Sequence, residues 1–257
     1  MYHYTEKDII DCLKSLNLKP DDNIFIHSNV ALFGLLKDAK NAQSIYQSFK
    51  NAFRSVIGED ATLLNPTFSF SFCKNEIFVY EETISTCGFF SEQARKDNDA
   101  CRSEDANFSI VSIGKNSDFF TNNIDKYSFG KSSFWKRFLD KKGKFLNFNL
   151  NSGFSTFVHY VERIFQVPYR YDKPFPGTFI RNGRSEKRVF YHYVTDPYNK
   201  NHRPDVRQLE NCLDNLNLVK RSNLGRGQMV LTKSEDMFNV ISEQLAKDIS
   251  FLIKGTL

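Results

Sequence analysis

The sequence predicts an α/β fold in which a central mixed sheet carries helices on both faces, as one domain over residues 1–257. Two observations predict it. Segments with apolar residues at helical spacing alternate with short apolar runs bounded by turn residues. The chain also has 40 % hydrophobic and 25 % charged residues over 257 positions, enough for a sizeable core and typical of globular chains.

The elements follow in order. Thr5 and Asp8 have capping-box spacing, and Ile9, Ile10, Leu13 and Leu16 then recur as one helical stripe. Lys19-Pro20-Asp21-Asp22 is a turn, and Asn23 to His27 a short strand ending in the polar pair Ser28-Asn29. Ile45, Phe49, Phe53 and Val56 mark a second helix stopped at Gly58. Buried strands are predicted from Ala61 to Asn65, Phe108 to Ile113 and Lys144 to Asn149, and a later strand from Val189 to Val194. Met237, Val240, Ile241, Leu245, Ile249 and Leu252 outline a long C-terminal helix. Tyr169 to Arg188, rich in aromatic, basic, Pro and Gly residues, reads as a long functional loop or small insertion near the substrate.

Charge and cysteine usage narrow the class. The formal charge is +5, and the densest basic run, Asp140 to Lys144, reads as a solvated turn before a strand. That argues against a nucleic-acid partner, which calls for a basic stripe. The five cysteines, Cys12, Cys73, Cys87, Cys101 and Cys212, are scattered and form no C-x-x-C pair, so free thiols in a reducing compartment are expected. The first residues are polar, and no apolar run has the length of a membrane span. A cytoplasmic protein, with no membrane partner and no metal, is the expectation.

Three clusters carry chemistry. Ser155 or Thr156 reads as an N-cap, followed by a helix whose stripe is Phe157, Val158, Val161, Ile164 and Phe165, ended by Pro168. His159 and Glu162, three apart, share another face and can touch. A carboxylate fixes a histidine tautomer, which suits a general base, and a helix start offers N–H groups to a thioester oxygen or a phosphate. The same spacing also fits a solvated surface pair. The second cluster, His27-Ser28-Asn29-Val30 through Gly34, follows a strand, where α/β sheets bind ligands, or is an ordinary strand-to-helix turn. The third runs from Gly88 with Glu92 and Arg95 to Arg102-Ser103, where Arg102 suits a phosphate fork or a salt bridge.

Taken together and in order, with Thr62-Leu63 before Pro66-Thr67-Phe68, with Ser132-Ser133, and with Thr156, His159 and Glu162, these clusters resemble the aminoglycoside 3-N-acetyltransferase family, which is distinct from the GNAT acetyltransferases. The resemblance runs from Asn23 to Tyr171 and more loosely beyond. It implies acetyl-CoA as co-substrate, bound by His27, Ser28, Asn29, Val30 and Gly34, with Ser155 and Thr156 at the helix start and Arg102, Ser103 and Ser109 nearby. It implies His159 as general base and Glu162 as its orienting partner, in direct transfer to the amine of an amino sugar. Three departures stand out. Glu104-Asp105 replaces a His-Pro pair after Arg102-Ser103, Phe148-Asn149 stands where a glycine is common, and no acid follows Phe68 until Glu76. Polycationic aminoglycosides need carboxylates. An aminoglycoside and a nucleotide-linked amino sugar destined for a surface polysaccharide therefore both stay open as acceptors, and the strip Tyr169 to Phe175 is able to stack a base and meet a diphosphate or to pack as a plain loop. A monomer or homodimer is expected.

Other classes are weaker. A coenzyme-A-binding module without activity conflicts with the presence of both His159 and Glu162. A Cys/His hydrolase would pair Cys73, Cys87 or Cys101 with His159, but no nucleophile elbow is present. His192 reads as structural or rim-lining, His3 and His202 carry no signal, and Asn223-Leu224-Gly225-Arg226-Gly227 reads as a tight turn.

Overall fold

The structure, a computed structural model, describes residues 1–197 and 203–254; His202 lies outside them. In chain order the strands are β1 Asn23–Ser28, β2 Thr62–Pro66, β3 Phe78–Val79, β4 Cys101–Arg102, β5 Ile110–Ile113, β6 Lys144–Phe148, β7 Arg170–Arg181, β8 Arg184–Thr195, β9 Arg203–Pro204, β10 Val219–Leu224, β11 Gly227–Lys233 and β12 Ile253–Lys254. The helices are α1 Glu6–Ser15, α2 Ala42–Ile57, α3 Phe89–Arg95, α4 Ser117–Thr121, α5 Phe134–Asp140, α6 Val158–Ile164, α7 Arg207–Asn215 and α8 Ser234–Lys247.

Seven strands form one sheet in the order β10-β11-β6-β1-β2-β5-β4. β1 runs parallel to β2 and to β6, and the outer strands join antiparallel. The sheet is mixed, as expected. Successive side chains of a strand face opposite sides, and β1 shows it: Ile24 and Ile26 enter one core with Ile9, Leu13, Phe49 and Phe53 of α1 and α2, whereas Phe25 enters a second with Trp135, Phe138, Val161, Met237 and Ile241 of α5, α6 and α8. Both faces are therefore covered by helices. Hydrophobic runs such as Ile24-Phe25-Ile26 are continuous because each residue serves one of two cores.

Local signals set the first helices. Thr5 and Asp8 form the capping box of α1, and α2 stops at Gly58, whose φ is +73°. The reading of Tyr169 to Arg188 as a loop is corrected. Most of it is β7 and the start of β8, paired antiparallel across Asn182-Gly183, with φ of +49° and +70°. Two consecutive left-handed residues, Asn then Gly, make the tight turn that matches strand twist. Pro174 and Pro176 argue against an interior strand, but β7 is covered on its far side only at Phe179 and Ile180, by β3, so the prolines sit where no ladder partner is lost. No helix among the described residues is long and apolar enough to cross a membrane.

Candidate active site

β1, β2 and β6 are parallel, so their C-terminal ends open on one edge of the sheet. A cavity of about 560 Å³ lies there, lined by His27, Ser28 and Asn29 after β1, Pro66 after β2, Leu150 and Phe154 after β6, and Thr156 and His159 before and on α6. Phe68, Phe70, Phe108 and Cys87 complete its wall. This is the edge where open α/β sheets bind ligands.

His159 and Glu162 do touch. The Nδ1 of His159 lies 2.7 Å from Glu162 Oε2. Glu162 is buried, with its side chain 1 % exposed, against 26 % for His159. Its other oxygen, Oε1, accepts from the Tyr169 hydroxyl at 3.0 Å, and Arg170 Nε lies 2.8 Å from Oε2 as an ion pair. Burial pushes the Glu162 carboxyl up, but the His159 hydrogen bond, the charge of Arg170 and the Tyr169 hydroxyl outweigh it and hold the pKa below the usual carboxylate value. An ionised Glu162 only accepts, so Nδ1 of His159 carries the proton and Nε2 keeps a lone pair. The ring also stands edge-on to Phe129, with centroids 5.6 Å apart. Short α6 starts after Phe157 with no side-chain cap, and Ser155 Oγ instead accepts from the Phe157 N–H at 3.2 Å.

His27 is a different histidine. It points to the same face as Phe25, and its register partner on β6 is Asn147, whose Oδ1 is 2.8 Å from His27 Nδ1. Asn147 Nδ2 donates to the Asn151 and Phe154 carbonyls, which leaves Oδ1 for His27 and puts the His27 proton on Nδ1. Burial pushes the His27 pKa down to about 4, against a partial upward pull from Asn147. The imidazole is therefore neutral at physiological pH. Its Nε2 and the Oγ of Ser28 are buried with no hydrogen-bond partner among the described residues.

The other expected cofactor residues are placed elsewhere. Val30 is buried in the α1–α2 core, and Gly34, at φ +88°, closes a turn packed against His3. The phosphate fork expected of Arg102 is corrected. Its guanidinium is buried, donates to the carbonyls of Tyr80, Thr83 and Thr67 and to Ser109 Oγ, and lies 4.8 Å from the Phe78 ring centroid. Ser109 Oγ donates to Thr67 O, and Ser103 Oγ accepts from the Ile110 N–H. None of these five, nor Ser155, lines the cavity. In the strip after the helix, Arg170 holds Glu162 and Asp172 takes a fork from Arg163 of α6, while Lys173 lies over the Phe175 ring.

The departures from the family pattern have local roles. Glu104 pairs with Arg181 and Arg188 of the hairpin. Asp105 accepts from the N–H groups of Asn107 and Phe108 and from Ser128 Oγ. Asn149 adopts φ +54°, the conformation a glycine would supply.

A Cys–His–Asn cluster lies outside the cavity, but its protons are the wrong way round for a nucleophile. Asn107 Oδ1 accepts the Cys73 N–H, so Nδ2 faces His192 Nε2 at 3.0 Å and the His192 proton is on Nδ1, the atom 3.7 Å from Cys73 Sγ. A ring that already carries its proton toward sulfur cannot accept the thiol proton. Burial, with Asp105 adding to it, pushes the Cys73 thiol up to about 11. Among the described residues no group of three His, Cys, Asp or Glu side chains is placed to hold a metal ion.

Sequence reasoning missed the partners behind the histidines, Tyr169, Arg170 and Asn147, and the phenylalanine wall. The family model for aminoglycoside 3-N-acetyltransferase matches residues 25–246. The chain belongs to that family. It is an N-acetyltransferase by class, as the sequence led us to expect. Its fold is that of aminoglycoside acetyltransferase AAC(3)-IIb, at TM-score 0.82 and 18 % identity, covering 96 % of this chain and 98 % of that one. It is also similar to AAC-IIIb, solved as a binary complex with CoASH, at TM-score 0.80, 18 % identity and coverage of 95 % and 96 %. Sisomicin-bound AAC-VIa matches at TM-score 0.81 and 17 % identity, covering 95 % and 98 %. No curated protein matches the chain in sequence.

Proposed function

We propose that this acetyltransferase moves an acetyl group from acetyl-CoA to an amine of an amino sugar, with His159 as general base and Glu162 as the residue that orients it. The observation that carries this reading is the His159–Glu162 contact on the wall of a cavity at the sheet edge. Glu162 fixes the proton on Nδ1, so Nε2 takes the proton of the attacking amine. That role is worth about 10²–10⁴ in rate. The CoASH complex of AAC-IIIb supports the donor. The cavity suits a thioester arm, because Ser28 Oγ and His27 Nε2 await partners and Asn29 and Thr156 add polar groups beside an apolar wall. Neutral His27 accepts from an N–H or O–H and offers no charge to a phosphate.

A specific observation favours a second acceptor. Among the described residues no carboxylate lines the cavity, whose wall is largely Phe68, Phe70, Phe108 and Phe154. Sisomicin and gentamicin, bound in AAC-VIa and AAC(3)-IVa, carry several amines. A polycation gains little from this wall, whereas a sugar with one free amine, such as a nucleotide-linked amino sugar, stacks its ring on it. The test is release of CoA thiol from acetyl-CoA with aminoglycosides on one panel and nucleotide-linked amino sugars on another, with His159→Ala in parallel. Turnover on neither panel would overturn the amino-sugar reading; saturable turnover of aminoglycosides alone would overturn the second acceptor.

A further inference from the structure

The phenylalanine wall of the cavity contains a strained backbone. Phe70 has φ +57°, in the left-handed region where Cβ crowds the following carbonyl oxygen. Asn and Asp tolerate that region, and a bulky ring does not. Among the described residues, most other non-glycine residues with positive φ are Asn or Asp, and Phe70 is the one aromatic. Such a conformation persists only where its surroundings over-determine it.

The surroundings of Phe70 do so. Backbone N–H groups of Thr67, Ser69 and Ser71 donate to the carbonyls of Ser109, Asn107 and Ala106 at 2.8, 3.1 and 3.2 Å. The Cys73 N–H donates to Asn107 Oδ1 at 3.0 Å. The Thr67 hydroxyl donates to Ser109 O and the Ser69 hydroxyl to Ala106 O. Thr67, Ser69 and Ser71 are buried, so letting Phe70 relax would break bonds that water cannot replace. Beyond it, Phe72 enters a separate core with Phe179 and Phe190 of the β7–β8 hairpin. Phe70 is left half-buried, on the cavity wall. A glycine would make the same turn without strain, so the ring is what the position keeps.

The ring is linked to the base. Phe70 stands edge-on to Phe108 at 5.1 Å between centroids, Phe108 to Phe129 at 5.4 Å, and Phe129 to His159 at 5.6 Å. The amine that His159 deprotonates therefore brings its sugar to this part of the wall.

We propose that Phe70 is a specificity-determining residue for the acceptor: its ring, held against the strain of its own backbone, takes the apolar face of a sugar with one amine and turns away polycations. This deepens, and rests on, the reading of the second acceptor. A ring face gives a sugar's C–H face dispersion contact. A polycation there would lose hydration with no carboxylate in return.

The experiment is steady-state thiol release with UDP-glucosamine and with sisomicin, plus melting temperatures, for wild type and Phe70→Gly, Phe70→Ala, Phe70→Tyr and Phe70→Asp. Phe70→Gly and Phe70→Ala are expected to raise KM for UDP-glucosamine about tenfold, the size of one lost stacking contact, with KM for acetyl-CoA unchanged. Phe70→Tyr should restore it. Phe70→Asp, which tolerates the backbone and adds a carboxylate, should shift the kcat/KM ratio toward sisomicin by about tenfold or more. Phe70→Gly should melt about 2–4 °C above Phe70→Ala, the reverse of the usual order, because glycine alone relieves the strain. An unchanged acceptor KM in Phe70→Ala would overturn the proposal, as would a parallel rise in KM for acetyl-CoA or a higher melting temperature for Ala than for Gly. A wild type that prefers sisomicin would overturn it together with the second acceptor. A wild type that turns over neither compound would instead overturn the amino-sugar reading beneath both.

Discussion

His159 donates through Nδ1 to an oxygen of Glu162 at 2.7 Å, and Glu162 is almost wholly buried while His159 is partly open to the cavity. One partner is thus a fixed anchor and the other a presented base. His159→Ala should lower kcat by about 10²–10⁴ while leaving acetyl-CoA binding in place. Stopped-time thiol release, with CoA titration alongside, checks it; a variant retaining most of its turnover would remove His159 from the chemistry.

Glu162→Gln keeps the shape and removes the charge. Arg170 then loses its buried counter-ion, at a cost of about 3 kcal/mol in stability. Because the amide also permits the other His159 tautomer, kcat should fall more than KM rises. Urea midpoints and steady-state kinetics separate the two effects, and a change in KM alone would contradict the orienting role.

Arg102 is a staple between β4, β5 and the loops before α3, with four acceptors on its guanidinium. Arg102→Met should destabilise the fold by about 3 kcal/mol by leaving buried acceptors unmet. KM for acetyl-CoA should not change at a temperature where the variant is folded. A selective rise in that KM would restore Arg102 as a donor-binding residue.

His27 supplies a pH dependence of stability. Its folded pKa, about 4, lies below the ordinary 6.5 because burial disfavours the cation. Between those values the unfolded chain binds the proton and the folded chain does not, so stability rises with pH. The contribution is complete above about 6.5, declines below it and is gone once pH falls through about 4. The span corresponds to about 3 kcal/mol. Urea midpoints from pH 4 to pH 7 should rise less steeply in His27→Gln than in wild type.

Cys73 should be dispensable. The thiol is held protonated and His192 offers it a hydrogen rather than a lone pair. Cys73→Ser is expected to keep its acetyl-transfer rate, and loss of turnover in a variant with unchanged melting temperature would reopen a thiol mechanism.

The sequence by itself carried everything that depends on short-range chemistry. The capping box at Thr5 and Asp8, the stop at Gly58, the apolar strands from Asn23, Ala61 and Lys144 and the His159–Glu162 pair are all set by residues within one or two turns of each other, where spacing dictates geometry. The Asn182-Gly183 turn was written there too, but the prolines of β7 hid it, since only the strand order shows that they occupy an uncovered edge.

What the tertiary structure decided is which polar groups are already taken. Arg102 looks like a phosphate ligand in sequence and is instead buried among carbonyls supplied from 19 to 35 residues away in the chain. Arg170 looks like a ligand for a diphosphate and is the counter-ion of Glu162. The tautomer of His27 follows from an asparagine 120 positions distant, and that of His192 from one 85 positions distant. A hydrogen bond made across the fold costs a side chain its availability to a ligand, and no local pattern reports that loss, because the partner is brought near only when β1, β6 and β8 take their places around the two cores.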